Sequence, residues 1–373
     1  MAAPGTALFQ ASLDSISAGA ATDDLLTAIL RADSRISDLI FSPGRKFQVQ
    51  VSGEFIPLDT QGMSSLSADD TRRIAADLIG NNKAAISMLR EQGYCDISYA
   101  LAGVARFRVN VFIQRGSCAV VMRVIPTSIP DFKGLGLPDN LREISSLRDG
   151  LVLVTGPRAS GKSSTLAAIL NHINETETCH IITIEDPIEF LHNHKLATIH
   201  QRELHSDTPS VAQAMRAALR QAPNVIAVGE LKDRETMELA LEAAETGHLV
   251  LSTLNTLNAQ QTVERIVAAF PAAEQAGTRE RLARLLRFVI SQRLVPRRED
   301  SNRIAVFEVL KSGSKLLDRL LEGVSSSSNQ PKSLGLDAEI EKLVCAGIVT
   351  PEIALAHAID PRELAKKLAM PQK

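Results

Sequence analysis

The sequence predicts an α/β fold, a parallel sheet covered by helices, behind an α+β unit and ahead of a small helical region. Three observations carry this. Short apolar, β-branched runs at 151–155, 180–184, 225–228 and 249–253 are separated by longer stretches of helical periodicity, as expected of parallel strands buried on both faces. Segment 126–138, with three Pro and two Gly, divides this pattern from a different one before it. The 373 residues are 45% hydrophobic but only 3% aromatic, so Leu, Ala, Ile and Val must build the core, as in helix-covered sheets.

Taken in order, residues 1–22 are rich in Ala, Ser, Gly and Thr and read as a flexible arm. The first basic residue is Arg31, so the basic region of a secretory signal is not expected. Asp23 and Asp24 open a helical pattern through Leu25, Leu26, Ile29 and Leu30, read as one stretch over 23–45. Phe47 to Leu58 alternates loosely around Gly53 and reads as strands. Ser67 starts a helical pattern to residue 92, and 94–125 reads as strands turning at Gly103. Residues 23–125 are thus an α+β domain and 126–138 a linker. The α/β domain follows over 139–324. A polar break at Ser325–Ser328 leads into a helical region over 325–373, with Pro351 and Pro361 at helix starts.

Composition excludes several functions. Basic and acidic residues number 41 and 43, Trp is absent and Tyr occurs twice, which argues against base-stacking platforms, aromatic cages and nucleic-acid-coating chains. No apolar run approaches the ~18 residues of a membrane span. Cys95, Cys118, Cys179 and Cys345 form no C-x-x-C pair and read as buried thiols of a reducing, cytoplasmic compartment. Five of the 8 His lie between His180 and His205 without metal-ligand spacing and read as a solvated loop. Arg281, Arg284 and Arg287, spaced by three, read as a subunit interface or a solvated face rather than a nucleic-acid surface.

The chemistry centres on Gly156-Pro157-Arg158-Ala159-Ser160-Gly161-Lys162-Ser163, which fits G-x-x-x-x-G-K-[ST]. It directly follows an apolar run and leads through Ser164 into a helix-forming stretch, the order such a phosphate-binding loop needs. Backbone N–H groups and the helix N-terminus cradle phosphate oxygens. Lys162 is expected at the β- and γ-phosphates of ATP, and Ser163 on Mg²⁺. Ala159 stands where many such loops have Gly. A positive φ there costs about 1–2 kcal/mol.

Hydrolysis also needs a group to polarise water and a group to hold the metal. In open α/β sheets both lie at the carboxyl ends of strands. The run Ile181–Ile184 leads into Glu185-Asp186-Pro187, and Val225–Val228 into Gly229-Glu230. Solvated strand-end acids or helix caps are the alternative reading. His248, before the run ending at Asn255, is a candidate sensor of the γ-phosphate. Arg106 and Arg108 share one strand face by its period of two, and two guanidinium forks there suit a triphosphate; surface arginines are the alternative.

These motifs, with Ile184-Glu-Asp-Pro-Ile-Glu-Phe190, Gln201-Arg-Glu203, Val228-Gly-Glu230, Ala244-Glu-Thr-Gly-His248 and Ser291-Gln-Arg-Leu294, resemble the type II/IV secretion ATPases. The likeness is strongest to the twitching-motility, pilus-retraction branch (PilT/PilU). The resemblance implies a homo-hexamer with an N-terminal PAS-like domain and a RecA-like ATPase domain. It implies Glu185 as catalytic carboxylate and Glu230 in the Walker-B role with Mg²⁺. His248 falls in a histidine box, and Arg106, Arg108 and Arg123 are arginines that approach the triphosphate. It further implies a cytoplasmic motor that meets the inner membrane through a pilus platform protein, beside a paralogous pilus ATPase. Departures from the family pattern are Arg158-Ala159 in the loop, Asn224 for Asp, Asn255 for a second His, and altered chemistry in the amphipathic stretch 313–321. Those at Ala159, Asn224 and Asn255 motivate the alternative of a weakly active nucleotide-binding accessory subunit of a pilus or type II secretion complex; the stretch 313–321 is the one the family ties to retraction.

Overall fold

The computed structural model describes residues 21–33, 35–51, 54–58, 65–126, 128–298, 302–315, 321 and 335–369. Almost all of the expected N-terminal arm, the turn at Gly53, the break at Ser325–Ser328 and residues 316–320 of the amphipathic stretch lie outside the described residues. The chain divides into two compact units, Met1–Ser128 and Ile129–Lys373.

The first unit is an antiparallel sheet with helices packed on one face. Strands β1 (Ile36–Phe41), β2 (Phe47–Val51), β3 (Glu54–Leu58), β4 (Tyr94–Leu101), β5 (Ala105–Gln114) and β6 (Ser117–Ile125) pair in the order β3-β2-β1-β6-β5-β4. Helix α1 (Thr22–Ala32) is shorter than the helical stretch expected over 23–45. Ile36–Phe41 leaves it as a strand, with Ile36, Leu39 and Phe41 buried in the core. The pattern at 67–92 divides into α2 (Ala68–Ile79) and α3 (Lys83–Gln92), because Gly80 ends the first helix at φ +52 and Asn82 caps the second. Ser67 and Asp70 form the capping box that starts α2.

The second unit is built on a seven-stranded sheet. Strands β7 (Gly150–Thr155), β8 (His180–Glu185), β9 (Thr198–Glu203), β10 (Val225–Val228), β11 (Leu249–Leu254), β12 (Leu286–Pro296) and β13 (Arg303–Lys311) run in the order β13-β12-β7-β11-β10-β8-β9. All neighbours are parallel except the β12–β13 pair. Alternation along β7 shows the two cores. Leu151 and Leu153 pack towards α6 (Val211–Ala218), α7 (Arg234–Glu245), α8 (Ala259–Ala268) and α9 (Gln275–Leu285). Val152 and Val154 pack towards α5 (Lys162–Thr176) and residues 132–144. Phe132 and Leu137, inside the segment read as linker, are buried in this second core, and Phe132–Leu135 forms a short helix there. A separate cluster, including Val295, Val306, Leu336 and Ile340, docks the helices Leu336–Cys345, Pro351–His357 and Pro361–Ala369.

Three surface readings change. Cys345 is exposed and Cys118 and Cys179 are half-buried, so only Cys95 is the buried thiol expected. Helix α9 ends at Leu285, so Arg287 lies on β12 and the arginine stripe is broken. Arg281 is clamped by Glu238 and Glu245, and Arg287 pairs with Asp149. The histidines are not one solvated loop: His180 and His200 are strand residues in contact on β8 and β9. Burial pushes the His192 imidazole down to about 4.

Candidate active site

Parallel strands aim their carboxyl ends at one edge of the sheet, where the loop after β7 meets the residues after β8, β10 and β11. The loop is shaped by what packs beneath it. A Cβ on Gly156 would come within 2.4 Å of the Gln292 carbonyl oxygen, and one on Gly161 within 2.8 Å of the Gln292 amide nitrogen. Both glycines have positive φ, +155 and +89, so only glycine fits the close approach. Ala159 adopts φ +59, the strained conformation anticipated for it. Gln292 also accepts a 2.7 Å hydrogen bond from Thr165 on α5, tying β12 to the first turn of that helix.

Lys162 begins α5, and its Nζ donates to the carbonyls of Gly156 at 2.9 Å and Pro157 at 2.8 Å. Burial pushes its ammonium down, against the opposing pull of Glu230 and Glu189. Ser160 Oγ is buried without a hydrogen-bond partner among the described residues. A polar atom left this way in a glycine-lined cradle suits a phosphate oxygen. The residues therefore fit a nucleotide triphosphate. Ser163 and Glu230 supply hard oxygen donors, the type Mg²⁺ takes when it keeps several waters and phosphate ligands.

Glu185 ends β8. Its carboxylate is enclosed although the residue keeps partial exposure. Desolvation pushes its pKa up, against hydrogen bonds from Thr183 and Gln201. Glu230 follows β10 and accepts a hydrogen bond from the Asn255 amide, which follows β11. Lys162, Glu185, Glu230 and Asn255 thus share one edge of the sheet.

His248 does not. It precedes β11, and its carbonyl accepts from Gly150 N–H, at the start of β7. The six residues of β11 lie between it and the nucleotide edge, about 20 Å at ~3.3 Å per residue. Its Nδ1 is engaged by Ala243 O at 2.9 Å. A residue before a parallel strand lands at the opposite edge of the sheet from one after it. Asn224 lies at that far edge too, where its Oδ1 accepts from His180 N–H at 2.8 Å.

Arg106 and Arg108 of β5 lie on one face of the first unit's sheet, opposite to the buried Phe107 and Val109. Arg123 of β6 is the direct cross-strand partner of Arg108 and pairs with Asp38 at 2.8 Å. Thr165, Thr183, Gln201 and Gln292 also shape the site. Gln201 carried a signal, since it opens one of the family-like motifs; Thr183 and Thr165 are visible only once strands and helix are in place.

Comparison with known proteins agrees with this architecture. The family described as "Type II/IV secretion system protein" matches residues 96–333. The chain is 41% identical over 303 residues to the "Twitching motility protein" of Neisseria gonorrhoeae, covering 79% of this chain and 80% of the relative. It is 43% identical over 273 residues to the type IV pilus retraction ATPase PilT of Pseudomonas aeruginosa, covering 71% and 79%. The PilU ATPase of the same organism is 36% identical over 335 residues, covering 88% and 86%. A crystal structure of the pilus retraction motor PilT with bound ADP superposes with a TM-score of 0.80, at 41% identity, over 89% of this chain and 95% of that one. The Legionella pneumophila ATPase DotB superposes with a TM-score of 0.77 at 26% identity, over 91% and 97%. The chain belongs to the type II/IV secretion system protein family, within which it stands with the twitching-motility and pilus-retraction ATPases.

Proposed function

We propose that this protein is a hexameric ATP hydrolase that drives type IV pilus retraction and twitching motility. The observation that carries the reading is the meeting of Lys162, Glu185 and Glu230 at the carboxyl ends of β7, β8 and β10. Backbone N–H groups of residues 156–163 and the α5 N-terminus hold the phosphates. Lys162 exchanges its carbonyl partners for β- and γ-phosphate oxygens. Ser163 and Glu230 would hold Mg²⁺, which would supply charge neutralisation at the phosphates. Glu185 accepts the proton of the attacking water; its desolvated carboxylate is a stronger base than an exposed one. Arg106, Arg108 and Arg123 act on the charge of the triphosphate, a role supported by their shared sheet face.

Nucleotide drives motion only if it binds two arrangements of the subunit unequally. The proposed mechanical partner is an inner-membrane pilus platform protein, in keeping with the retraction named for the PilT relatives. A paralogous pilus ATPase is a second partner, as PilT and PilU occur together in Pseudomonas aeruginosa. No described helix is long and apolar enough to cross a membrane.

The test is ATP turnover by the purified protein at concentrations where its oligomeric state is measured. Turnover is expected, with a loss of at least ~10²-fold in Lys162→Ala and in Glu185→Gln. Unchanged turnover in both variants overturns the site. A second reading, a weakly active accessory subunit, is favoured by the strained Ala159 and by the neutral Asn255 amide on Glu230. It expects ATP binding with negligible turnover alone and recovery in a mixed complex with a paralogue.

A further inference from the structure

The Glu185 carboxylate is held unevenly. Oε1 accepts two side-chain hydrogen bonds, from Thr183 Oγ1 at 2.6 Å and Gln201 Nε2 at 2.9 Å. Among the described residues, Oε2 has only a long backbone contact, 3.4 Å from Glu189 N–H. Thr183 precedes Glu185 by two residues on β8, so both side chains emerge from one face. Gln201 is the direct cross-strand partner of Thr183 on β9.

Gln201 is itself fixed. Its Nε2 also donates to Phe190 O at 2.8 Å, and its Oε1 accepts from His192 N–H at 2.8 Å. Glu203, two residues further along β9, accepts from Ile188 N–H at 3.1 Å. One face of β9 therefore holds the 186–192 loop and the carboxylate together. This accounts for the Gln201-Arg-Glu203 motif, which the hydrolytic site had not absorbed.

We infer that Thr183 and Gln201 are positioning residues for hydrolysis: they occupy Glu185 Oε1 and leave Oε2 as the oxygen that takes the proton from water. The inference rests on the reading of Glu185 as the general base. A carboxylate oxygen that already accepts two strong donors is the poorer base of the pair, so proton transfer falls to the other. The two donors also favour the charged form, in opposition to burial and to the nearby Glu189 carboxylate, which disfavour it. The donors thus aim the carboxylate while opposing the upward pull of burial on its pKa.

Thr183→Val removes the hydroxyl at nearly constant shape, and Thr183→Ser keeps it. Gln201→Met removes both amide functions at similar length. Turnover, KM, affinity for a fluorescent ATP analogue and melting temperature are measured on the full chain in its assembled state. Thr183→Val and Gln201→Met are expected to lower kcat about tenfold, with analogue affinity and KM within twofold of wild type. Thr183→Ser is expected to keep kcat within about threefold. In Thr183→Val the acid limb of the kcat profile moves to higher pH, because a lost donor disfavours the carboxylate. Wild-type kcat in Thr183→Val overturns the inference, as do equal losses in Thr183→Val and Thr183→Ser. Wild-type turnover in Glu185→Gln removes the general base itself. Loss in Glu185→Gln with wild-type turnover in Thr183→Val removes the positioning role alone.

Discussion

Arg108 and Arg123 stand directly opposite each other on β5 and β6, both exposed on the same sheet face. Like charges in that relation destabilise a sheet by about 0.2–1 kcal/mol. Arg123 is offset by Asp38, its cross-strand partner on the other side, which is 7% exposed. The two arginines therefore respond differently to removal. Arg108→Gln relieves the repulsion and is expected to raise the melting temperature slightly while lowering ATP turnover about tenfold. Arg123→Ala is expected to lower both, since Asp38 loses its partner at a cost of about 1 kcal/mol. Thermal melts and turnover of the two variants at matched oligomeric state check this. Unchanged turnover in both would separate these arginines from the triphosphate.

Ala159 holds φ +59 in the middle of the phosphate-binding loop. Glycine adopts that conformation freely, at the expense of a more flexible unfolded chain. Ala159→Gly is expected to gain a net ~0.5–1 kcal/mol in stability or nucleotide binding. A few-fold tighter binding of ATP, measured by titration, is the expected outcome. Weaker binding would mean that the strained loop is already set for the phosphates.

Asn255 and His248 flank the same strand, β11, at its two ends. The phosphate loop, Glu185 and Glu230 were legible because each sits in a short local pattern, an apolar run followed at once by its functional residue. The parallel run of β7, β10 and β11 makes Asn255 a neighbour of Glu230 and sends His248 to the far edge. Asn255→Ala is expected to lower turnover about tenfold, whereas His248→Ala keeps ATP affinity within twofold of wild type. Loss of ATP affinity in His248→Ala would contradict the geometry. The departure at Asn224 likewise lies away from the phosphates and gives no reason for weak activity.

Three strands, β9, β12 and β1, leave no clear strand pattern in the sequence, each for a physical reason. β9, Thr198–Glu203, is the sheet's edge; Thr198 and His200 are exposed, and no apolar run marks it. β12 begins at Leu286, within the spaced arginines, so the positive pattern masked a buried strand with Phe288, Val289 and Ile290 in the core. β1 follows a helix so closely that its apolar residues extended the helical periodicity. Gln201 and Gln292, which hold the Glu185 carboxylate and pack beneath the loop, are carried by two of these strands.

Glu308 makes stability depend on pH. It lies on β13 directly opposite Ser291 and is 5% exposed. Desolvation pushes its pKa from 4.5 up to about 7, against hydrogen bonds from Ser291 and the Ala259 backbone and together with the nearby Asp337 carboxylate. A Cβ on Gly335 would approach its Oε1 to 2.8 Å, so the start of the C-terminal helices closes over it. Below pH ~4.5 the carboxyl is protonated in both folded and unfolded chains, and its full contribution is present. Between pH ~4.5 and ~7 the unfolded chain ionises while the folded one keeps its proton, so stability falls as pH rises. The loss, complete above pH ~7, is on the order of 3 kcal/mol. Glu308→Gln mimics the protonated form at every pH. It is expected to melt close to wild type at pH 4.5 and several degrees higher at pH 8. A difference between the two proteins that stays constant from pH 4.5 to 8 would show that Glu308 ionises as freely in the folded chain as in the unfolded one.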